Sequence, residues 1–258
     1  ATGSFAQLLP TSGQVRFLVE GRAGNAVLAR GGTGLVTLGD GDLDVAVVLG
    51  RVGTFHDTVA SDGLPSEMPY PLAGATLTRL RDGRVLIVGG ASLDTAGSLT
   101  DISQRALLWD PNTGRFTELA SELRIRRAFH TATLLKAAQP GGPQRVLLSG
   151  GITLISNERF ESTRLAEIFD PETLTFTGQL LEMRKARYGH TATLLVSGNV
   201  LVAGGAELAA GQLITQDLTV DALQLDTLHA DADVFQFDEL SPSFAADPVA
   251  MASPRVFH

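Results

Sequence analysis

Cysteine is absent from this sequence of 258 residues, and lysine occurs only at Lys136 and Lys185. Without thiols the chain forms no disulfide bonds, thiolate metal sites or cysteine nucleophiles. Aromatic residues make up only 6% of the chain while glycine occurs 28 times, a balance typical of turn-rich globular proteins. No apolar run is long enough to cross a bilayer, and no cationic segment followed by an apolar core opens the chain. We therefore expect no transmembrane segment.

An excess of positive charge is also lacking. The formal net charge is −8, and the basic residues are scattered along the sequence rather than clustered in one long run. Such a chain has no general attraction to nucleic acid or to acidic membranes. We therefore expect no nucleic-acid partner.

What the sequence does contain is an internal repeat. Residues 187–195 read Arg-Tyr-Gly-His-Thr-Ala-Thr-Leu-Leu and are followed by Val-Leu-Val-Ala-Gly-Gly at 200–205. Residues 127–135 read Arg-Ala-Phe-His-Thr-Ala-Thr-Leu-Leu, with Val-Leu-Leu-Ser-Gly-Gly at 146–151. Self-similarity of this length indicates a repeat architecture in which each repeat is one supersecondary unit.

Short β-prone runs separated by turn signals fill each repeat, and no segment has the periodicity of a long amphipathic helix. The units span about 21–60, 70–120, 127–180 and 187–245, with a partial hairpin at 4–20 and the start of a further unit at 251–258. The predicted strands outside the repeated motifs are 4–9 and 14–19 in the hairpin, 26–28, 34–38, 44–49 and 53–55 in the first full unit, 75–77, 84–90, 105–110 and 114–117 in the second, 165–170 and 174–176 in the third, and 233–238 and 243–244 in the fourth.

One spacing supports this alignment. The same offset separates three Asp–Phe pairs, which are Asp110 and Phe116, Asp170 and Phe176, and Asp238 and Phe244. An aspartate at the start of a turn caps that turn with its side chain, and the following phenylalanine re-enters the sheet. The first unit keeps Phe55 but has Leu49 at the aspartate position, so we interpret it as a degenerate copy.

These features resemble the kelch-type repeat of β-propellers, including its galactose-oxidase-like bacterial variety. The resemblance is carried by the Arg-x-x-His-Thr-Ala-Thr-Leu-Leu strand, the apolar run that ends in Gly-Gly and the Asp-Pro turn, over about residues 70–258. It implies an all-β fold, a β-propeller of four-stranded antiparallel blades around a central channel. About four blades would lie in this chain, with partial blades at both termini.

The two ends of the sequence suggest how such a ring would close. Residues 251–258 restate the Arg-x-x-His opening with Arg255 and His258. In propellers, strands from both termini often share one blade, and an incomplete ring would expose sheet edges and apolar faces. We therefore expect further strands, either beyond His258 or from another chain that completes the propeller.

The repeated polar residues are interpreted as scaffold. His130, His190 and His258 occupy one repeat position, so a structural role, in which the ring satisfies backbone groups at the start of the inner strand, is favoured over a ring of metal ligands. The glycine pairs at 89–90, 150–151 and 204–205 precede no helix and therefore lack the geometry of a phosphate loop. We expect these glycines to allow close backbone packing and unusual φ angles.

A calcium site is one interpretation of residues 39–44, which read Gly-Asp-Gly-Asp-Leu-Asp. The alternating carboxylates of Asp40, Asp42 and Asp44 suit a hard cation such as Ca²⁺. The segment also looks like the end of the FG-GAP calcium loop, but two earlier acidic positions of that loop are Val36 and Leu38 here. A plain Gly-Asp hairpin turn is therefore favoured over calcium, and no other cofactor is expected.

Cationic residues precede each inner strand. They are Arg124, Arg126 and Arg127, then Arg184, Lys185 and Arg187, and finally Arg255. The last arginine of each set is expected to be structural and to bridge blades. Arg124, Arg126, Arg184 and Lys185 are candidates for a basic rim that binds an acidic glycan or protein carboxylates, with a solvated surface as the alternative.

Variable segments follow each glycine pair, at about 91–104, 152–164 and 206–230. The third is long and contains Leu223 and Asp226 within the stretch Leu-Gln-Leu-Asp-Thr-Leu. Because binding residues concentrate on loops held by a rigid scaffold, these segments are the preferred recognition surface.

Sequence signatures of catalysis are missing. No Gly-x-Ser-x-Gly elbow is present, and the copper site of galactose oxidase needs a tyrosine linked to a cysteine. We therefore predict a non-catalytic binding or assembly module for a protein or polysaccharide, secreted or at a bacterial cell surface. The alternative is a carbohydrate-active propeller enzyme, for which two or more carboxylates and an aromatic platform should converge on the loop face.

Overall fold

The computed structural model describes residues 12–254 apart from 40–42, 55–56, 98, 138, 140–141, 143, 157–158, 209–226 and 239–240. Over these residues the chain is all-β, with many short strands in antiparallel sheets and no helix. Two compact units are present. The first consists of Ala1–Glu67, Arg81–Arg84 and Trp109–Phe116, and the second of Met68–Leu80, Val85–Leu108 and Thr117–His258.

The first unit is built from two small sheets. In one, β1 (Gly13–Val15) pairs with β4 (Val36–Leu38), and in the other β3 (Ala26–Gly32) lies between β2 (Leu18–Ala23) and β5 (Gly50–Arg51). Leucines of these strands stay largely open to solvent, with Leu18 66% and Leu28 55% exposed. The described part of this unit therefore has little apolar core.

The four-stranded sheet predicted for residues 21–60 is wrong, because residues 44–49 form no strand and neither do Gly53 and Thr54. The 44–49 segment nevertheless passes close to β3, because a Cβ atom built on Gly31 would lie only 2.1 Å from the carbonyl oxygen of Val48. Glycine, which has no Cβ atom, allows this approach, and β3 pairs instead with β5 directly after the segment. The predicted strand at 4–9 lies outside the described residues.

Three larger sheets contain most strands of the second unit. The first sheet has the order β11 (Arg115–Glu118), β10 (Ala106–Asp110), β7 (Val85–Val88) and β6 (Thr76–Arg79). The second has β12 (Thr131–Leu134), β13 (Val146–Ser149), β16 (Leu165–Asp170) and β17 (Thr175–Phe176), with β18 (Leu181–Glu182) also on β16. The third has β19 (Thr191–Leu194), β20 (Val200–Ala203), β23 (Asp231–Gln236) and β24 (Ser243–Phe244), with β25 (Val249–Ala250) also on β23.

These sheets confirm the strands predicted for the last three full units. The inner two strands have the same register in each repeat, since Thr131 pairs with Ser149 and Thr191 with Ala203. The segments after the glycine pairs, which the sequence predicts only as loops, contain hairpins. They are β8 (Ala91–Leu93) with β9 (Leu99–Ile102), β14 (Ile152–Ser156) with β15 (Arg159–Ser162), and β21 (Ala206–Glu207) with β22 (Thr227–Leu228).

The aspartate turns follow the prediction in two repeats. Oδ1 of Asp110 accepts a 2.8 Å hydrogen bond from the N–H of Asn112, and Oδ1 of Asp170 accepts a 3.0 Å bond from Glu172. Each aspartate therefore caps its own turn.

The third such turn is out of alignment. Phe169 pairs with Phe176 in the second sheet and Phe235 with Phe244 in the third, so Gln236, not Asp238, is the counterpart of Asp170. The last hairpin is longer, and Asp238 accepts its bond from the N–H of Ser241 at 3.2 Å. The Asp–Phe spacing is therefore the same in all three repeats, although the strand register of the third hairpin is shifted.

Apolar clusters join consecutive sheets face to face. One cluster packs first-sheet residues such as Leu86 and Leu108 against Val146 and Phe169 of the second sheet. Another packs Leu147 and Ile168 of the second sheet against Val200, Val202 and Phe235 of the third. Alternate residues of a strand face opposite sides of its sheet, so the second sheet contributes one face to each cluster.

Candidate functional site

The last arginine of the 124–127 set is a buried structural residue, as predicted. Nη2 of Arg127 lies 2.7 Å from Oε1 of Glu167, and both side chains are almost completely buried. Nη1 donates to the carbonyl oxygens of Gly150 at 2.8 Å and Leu165 at 3.0 Å. The carbonyl of Arg127 accepts a bond from the N–H of Gly90 in the preceding repeat. Arg127 therefore links the first and second sheets.

The same arrangement recurs one repeat later. Nη2 of the buried Arg187 lies 2.9 Å from Oδ2 of Asp233, and its Nη1 donates to the carbonyl oxygen of Gly204 at 2.7 Å. The buried charge of the guanidinium is stabilised because its N–H groups donate hydrogen bonds to a carboxylate and to carbonyl oxygens. These arginines are not available to bind a ligand.

The two described repeat histidines are structural, and their partners include hydroxyl groups that were not predicted. Nε2 of His130 lies 2.9 Å from Oγ1 of Thr76, and Nε2 of His190 lies 3.0 Å from Oγ1 of Thr131. These hydroxyl groups belong to the preceding repeat, and His190 has a backbone partner at Ser149 as well. Burial, followed by the nearby arginine charge, lowers the pKa of His190 to about 3 and that of His130 well below its usual value.

The glycine pairs allow close backbone approach, as predicted. Gly89 has φ +63°, and a Cβ atom there would lie 2.2 Å from the carbonyl oxygen of Arg127. Gly150 has φ +62°, and a Cβ atom there would lie 2.4 Å from the carbonyl oxygen of Arg187. Only glycine combines this backbone region with so little space.

The bases of the three hairpins share one apolar cluster. It contains Ile102 from the first hairpin, Ile152 and Phe160 from the second, Ala206 from the third, and Tyr188 from the connection before β19. Isolated bridges tie those connections to the hairpins, since Ala128 pairs with Ile152 and Tyr188 with Ala206. The hairpins therefore start from a rigid, packed base, which is the setting in which loops serve recognition.

A cavity of about 340 Å³ lies next to the first hairpin, wholly within the second unit. Its volume is within the range of small-molecule sites, near the lower end. The lining residues are Tyr70, Leu72, Ser92, Asp101, Ser103, Gln104, Arg105, Glu122 and Arg126. This is the candidate site, and its wall is mostly polar with one aromatic ring.

Planar polar groups of the cavity wall are held by mutual contacts. Nη1 of Arg126 lies 3.0 Å from Oδ1 of Asp101 and also donates to the carbonyl oxygen of Ile102 at 3.3 Å. The amide of Gln104 donates a hydrogen bond to Glu122. Each pair spans separate chain segments, so the groups are positioned before a ligand arrives.

The Tyr70 ring forms the aromatic part of the wall. The guanidinium carbon of Arg105 lies 5.3 Å from the centroid of this ring, within the range of a cation–π contact. Nη1 of Arg105 is also 3.5 Å from Oε1 of Glu118. Burial, followed by the charge of Glu118, raises the pKa of Tyr70, so the phenol stays protonated and polar at neutral pH.

The four cationic residues that were predicted to form a basic rim do not lie at one site. Arg126 lines the cavity, but Arg124 donates to the carbonyl oxygen of Gly178 instead. In the next repeat, Arg184 donates to the carbonyl oxygen of Ala246, and Nζ of Lys185 lies 3.0 Å from Oδ2 of Asp231. The basic rim is therefore divided between the cavity wall and separate structural contacts.

The 91–104 segment, predicted as part of the recognition surface, contributes Ser92, Asp101, Ser103 and Gln104 to the cavity wall, and the rim prediction contributes Arg126. Sequence reasoning missed Tyr70, Leu72, Arg105 and Glu122. The sequence feature that could have indicated this site is a position at which one repeat differs from the next. Ala73 bridges to Ala91 as Ala128 bridges to Ile152, which places Leu72 where the next repeat has the buried Arg127. The cavity thus lies beside the connection that lacks the structural arginine.

Several predicted residues lie outside the described part of the chain. These are Leu223 and Asp226 of the long third segment, Asp40 and Asp42 of the calcium interpretation, and Arg255 and His258 of the last repeat. Asp44 is described, but the calcium site stays a prediction. Among the described residues, no group of three or more His, Cys, Asp or Glu side chains is placed to hold a metal ion. Nor does any helix among them have the length and apolarity to cross a membrane.

Comparison with known proteins gives a likeness in fold alone. The chain is similar to the solved structure of YjhT, with a TM-score of 0.52 at 11% sequence identity. The match covers 89% of this chain and 61% of the YjhT chain, so this chain spans less than two thirds of that protein. No protein-family model matches the sequence, and no curated protein matches it.

Proposed function

We propose that this chain is a non-catalytic binding module of the kelch-like β-propeller type, and that its cavity holds a sugar unit of a glycan. The observation that carries the proposal is the cavity wall, where the Tyr70 ring lies together with the planar polar groups of Arg126, Asp101, Gln104 and Glu122. The propeller assignment is supported by consecutive four-stranded sheets that pack face to face, together with the sequence resemblance.

The chemistry of a sugar matches this wall. Each sugar hydroxyl both donates and accepts hydrogen bonds, and the wall offers guanidinium and amide donors beside carboxylate acceptors. The C–H face of a sugar ring is apolar, and an aromatic ring gives it a flat apolar surface. Arg126 and Asp101 contact each other at 3.0 Å but keep 42% and 55% of their side-chain surface exposed, so both groups are accessible to a ligand.

The contacts of the carboxylates favour binding over catalysis. Asp101 is engaged by Arg126, and Glu122 accepts a bond from the Gln104 amide. Both carboxylates thus serve as fixed acceptors, whereas glycoside hydrolysis needs one carboxyl group that holds a proton for the leaving oxygen. The resemblance to galactose-oxidase-like repeats supports a location outside the cytoplasm or at a cell surface.

A glycan array of neutral and acidic oligosaccharides tests this function. We expect the 258-residue protein to bind a defined group of glycans that share one sugar unit. The Tyr70→Leu variant should lose this binding, while Arg184→Ala, a surface change outside the cavity wall, should keep it. Circular dichroism spectra should be the same for all three proteins. Absence of binding to every glycan, or equal binding by Tyr70→Leu, would refute the proposal.

A carbohydrate-active enzyme is the second candidate, since Asp101 and Glu122 line one cavity with an aromatic ring. Any glycan identified on the array is the substrate to use. The enzyme hypothesis predicts release of reducing sugar by the wild-type protein and its loss in both Asp101→Asn and Glu122→Gln. The binding module predicts that the glycan is recovered intact.

A further inference from the structure

One carboxylate of the cavity wall has an uncharged partner. Glu122 accepts a hydrogen bond from the side-chain amide of Gln104, and both residues line the cavity. A neutral amide orients a carboxylate but does not offset its negative charge. The charge of Glu122 therefore acts on whatever enters the cavity.

The second repeat has a charged pair at the same two positions. The residue after each glutamate donates its N–H to the carbonyl oxygen of the partner, which is Gln104 in the first repeat and Arg164 in the second. Glu182 is thus the counterpart of Glu122, and its Oε2 lies 2.9 Å from Nη2 of Arg164. The first repeat therefore has a neutral glutamine in place of this arginine, at the point where the cavity lies.

The two guanidinium groups of the cavity wall already face other carboxylates. Nη1 of Arg126 lies 3.0 Å from Oδ1 of Asp101. Nη1 of Arg105 lies 3.5 Å from Oε1 of Glu118. The wall and its contacts thus hold two guanidinium groups and three carboxylates, and Glu122 supplies the additional negative charge.

We propose that Glu122 makes the cavity select neutral sugar units and reject acidic ones, such as uronic acids. This inference rests on the proposed glycan function and adds the class of sugar. The hydroxyl groups of a neutral sugar donate hydrogen bonds to a carboxylate. The carboxylate of an acidic sugar would instead share a cavity of about 340 Å³ with the charge of Glu122. Placing like charges together is a general means of rejecting a wrong ligand.

Pairs of oligosaccharides in which a carboxylate replaces the primary alcohol test this selection. The probes are trisaccharides of glucose, galactose and mannose, each compared with the trisaccharide of the corresponding uronic acid. Titration calorimetry with the 258-residue protein measures the Kd of each. At low salt we expect the neutral member of the recognised pair to have a Kd at least about tenfold lower. The difference should shrink at high salt, because Glu122 is exposed and its charge is screened.

Two variants test whether Glu122 is the cause. Gln104→Arg gives the first repeat the cation of the second, and Glu122→Gln removes the negative charge. Both should bring the ratio of the acidic Kd to the neutral Kd closer to one. Arg164→Gln is the matched control, because it makes the reverse exchange in the second repeat, outside the cavity wall. This variant should keep the wild-type ratio, and all circular dichroism spectra should agree.

The outcomes separate this inference from the proposed function. If the wild-type protein binds the acidic member as tightly as the neutral one, the selection is overturned while the glycan function stands. An unchanged ratio in both Gln104→Arg and Glu122→Gln, or an equal change in Arg164→Gln, also overturns it. Binding of no glycan on the array would remove the proposed function itself, and the selection with it.

Discussion

Nη2 of Arg127 lies 2.7 Å from Oε1 of Glu167, and this ion pair is almost fully shielded from water. Arg187 and Asp233 form its counterpart in the next repeat at 2.9 Å. In the preceding repeat, Leu72 and Leu107 stand at the two corresponding positions, and Leu107 is buried. The chain thus has an ionic pair and two leucines at corresponding positions of different repeats.

This comparison predicts strong coupling between Arg127 and Glu167. Arg127→Leu alone removes the positive charge from the buried Glu167 carboxylate, which keeps only the N–H groups of Arg124 and Ile125 among its described hydrogen-bond partners, and should lower the free energy of unfolding by about 3–5 kcal/mol. The double variant Arg127→Leu with Glu167→Leu places the two leucines of the first repeat at these positions and should recover part of that loss, because the two N–H groups then lose the carboxylate. Urea unfolding of the wild type, both single variants and the double variant measures the coupling. Additive losses in the double variant would contradict the account.

The buried histidines predict loss of stability in mild acid. The unfolded chain binds protons at His130 and His190 below a pH of about 6.5, whereas burial holds both pKa values lower in the folded chain. The free energy of unfolding is therefore unaffected by protonation of these histidines above pH 6.5. It decreases as the pH falls below that value, because the unfolded chain then binds protons that the folded chain does not. For His190 the loss extends to about pH 3.

The slope of this loss is measurable. For each buried histidine that stays neutral in the folded chain, the free energy of unfolding should fall by about 1.4 kcal/mol for every unit by which the pH is lowered, once the histidine is protonated in the unfolded chain. Urea unfolding between pH 7.5 and 4.5 measures the slope, and His190→Asn should reduce it relative to the wild type. An equal slope in this variant would show that His190 is not held neutral by the fold.

The glycine pairs predict a steric effect separable from backbone strain. Gly89→Ala would bring a methyl group against the carbonyl oxygen of Arg127, where only 2.2 Å is available. Gly97 also has a positive φ, +84°, but a Cβ atom there meets nothing within 4 Å. Both substitutions strain the backbone by about 1–2 kcal/mol, and only Gly89→Ala adds a clash. We expect Gly89→Ala to have clearly the lower melting temperature, and equal melting temperatures would be contrary evidence.

The sequence predicted the repeated sheets well because their residues face the same demands in each repeat. The run 146–148 is apolar, is followed by a glycine pair, and forms a strand with Ser149 that is buried on both faces. Residues 44–49 have a similar apolar run but form no strand. Local composition does not reveal that the 44–49 segment passes close to Gly31 of β3, because that approach depends on the path of the chain in three dimensions.

The candidate site was less predictable for a related reason. Arg126 could be proposed from its charge and Asp101 from its place in the 91–104 segment, but Tyr70 and Glu122 come from separate segments that the fold brings together. Charge alone also favoured Arg124 and Arg184, whose guanidinium groups bond to backbone carbonyls elsewhere. The alignment through Asp238 failed because a longer hairpin preserved the Asp–Phe spacing while shifting the register.

The central claim, that the cavity beside the first hairpin is the glycan site, is tested most directly by titration calorimetry with the best oligosaccharide from the array. Arg126→Ala removes a donor from the cavity wall and frees Asp101, so its Kd should rise by about tenfold or more, equivalent to about 1.4 kcal/mol. Arg124→Ala, two residues away and bonded to Gly178, should leave the Kd unchanged. Equal Kd values for the wild type and Arg126→Ala, or a loss confined to Arg124→Ala, would contradict the account.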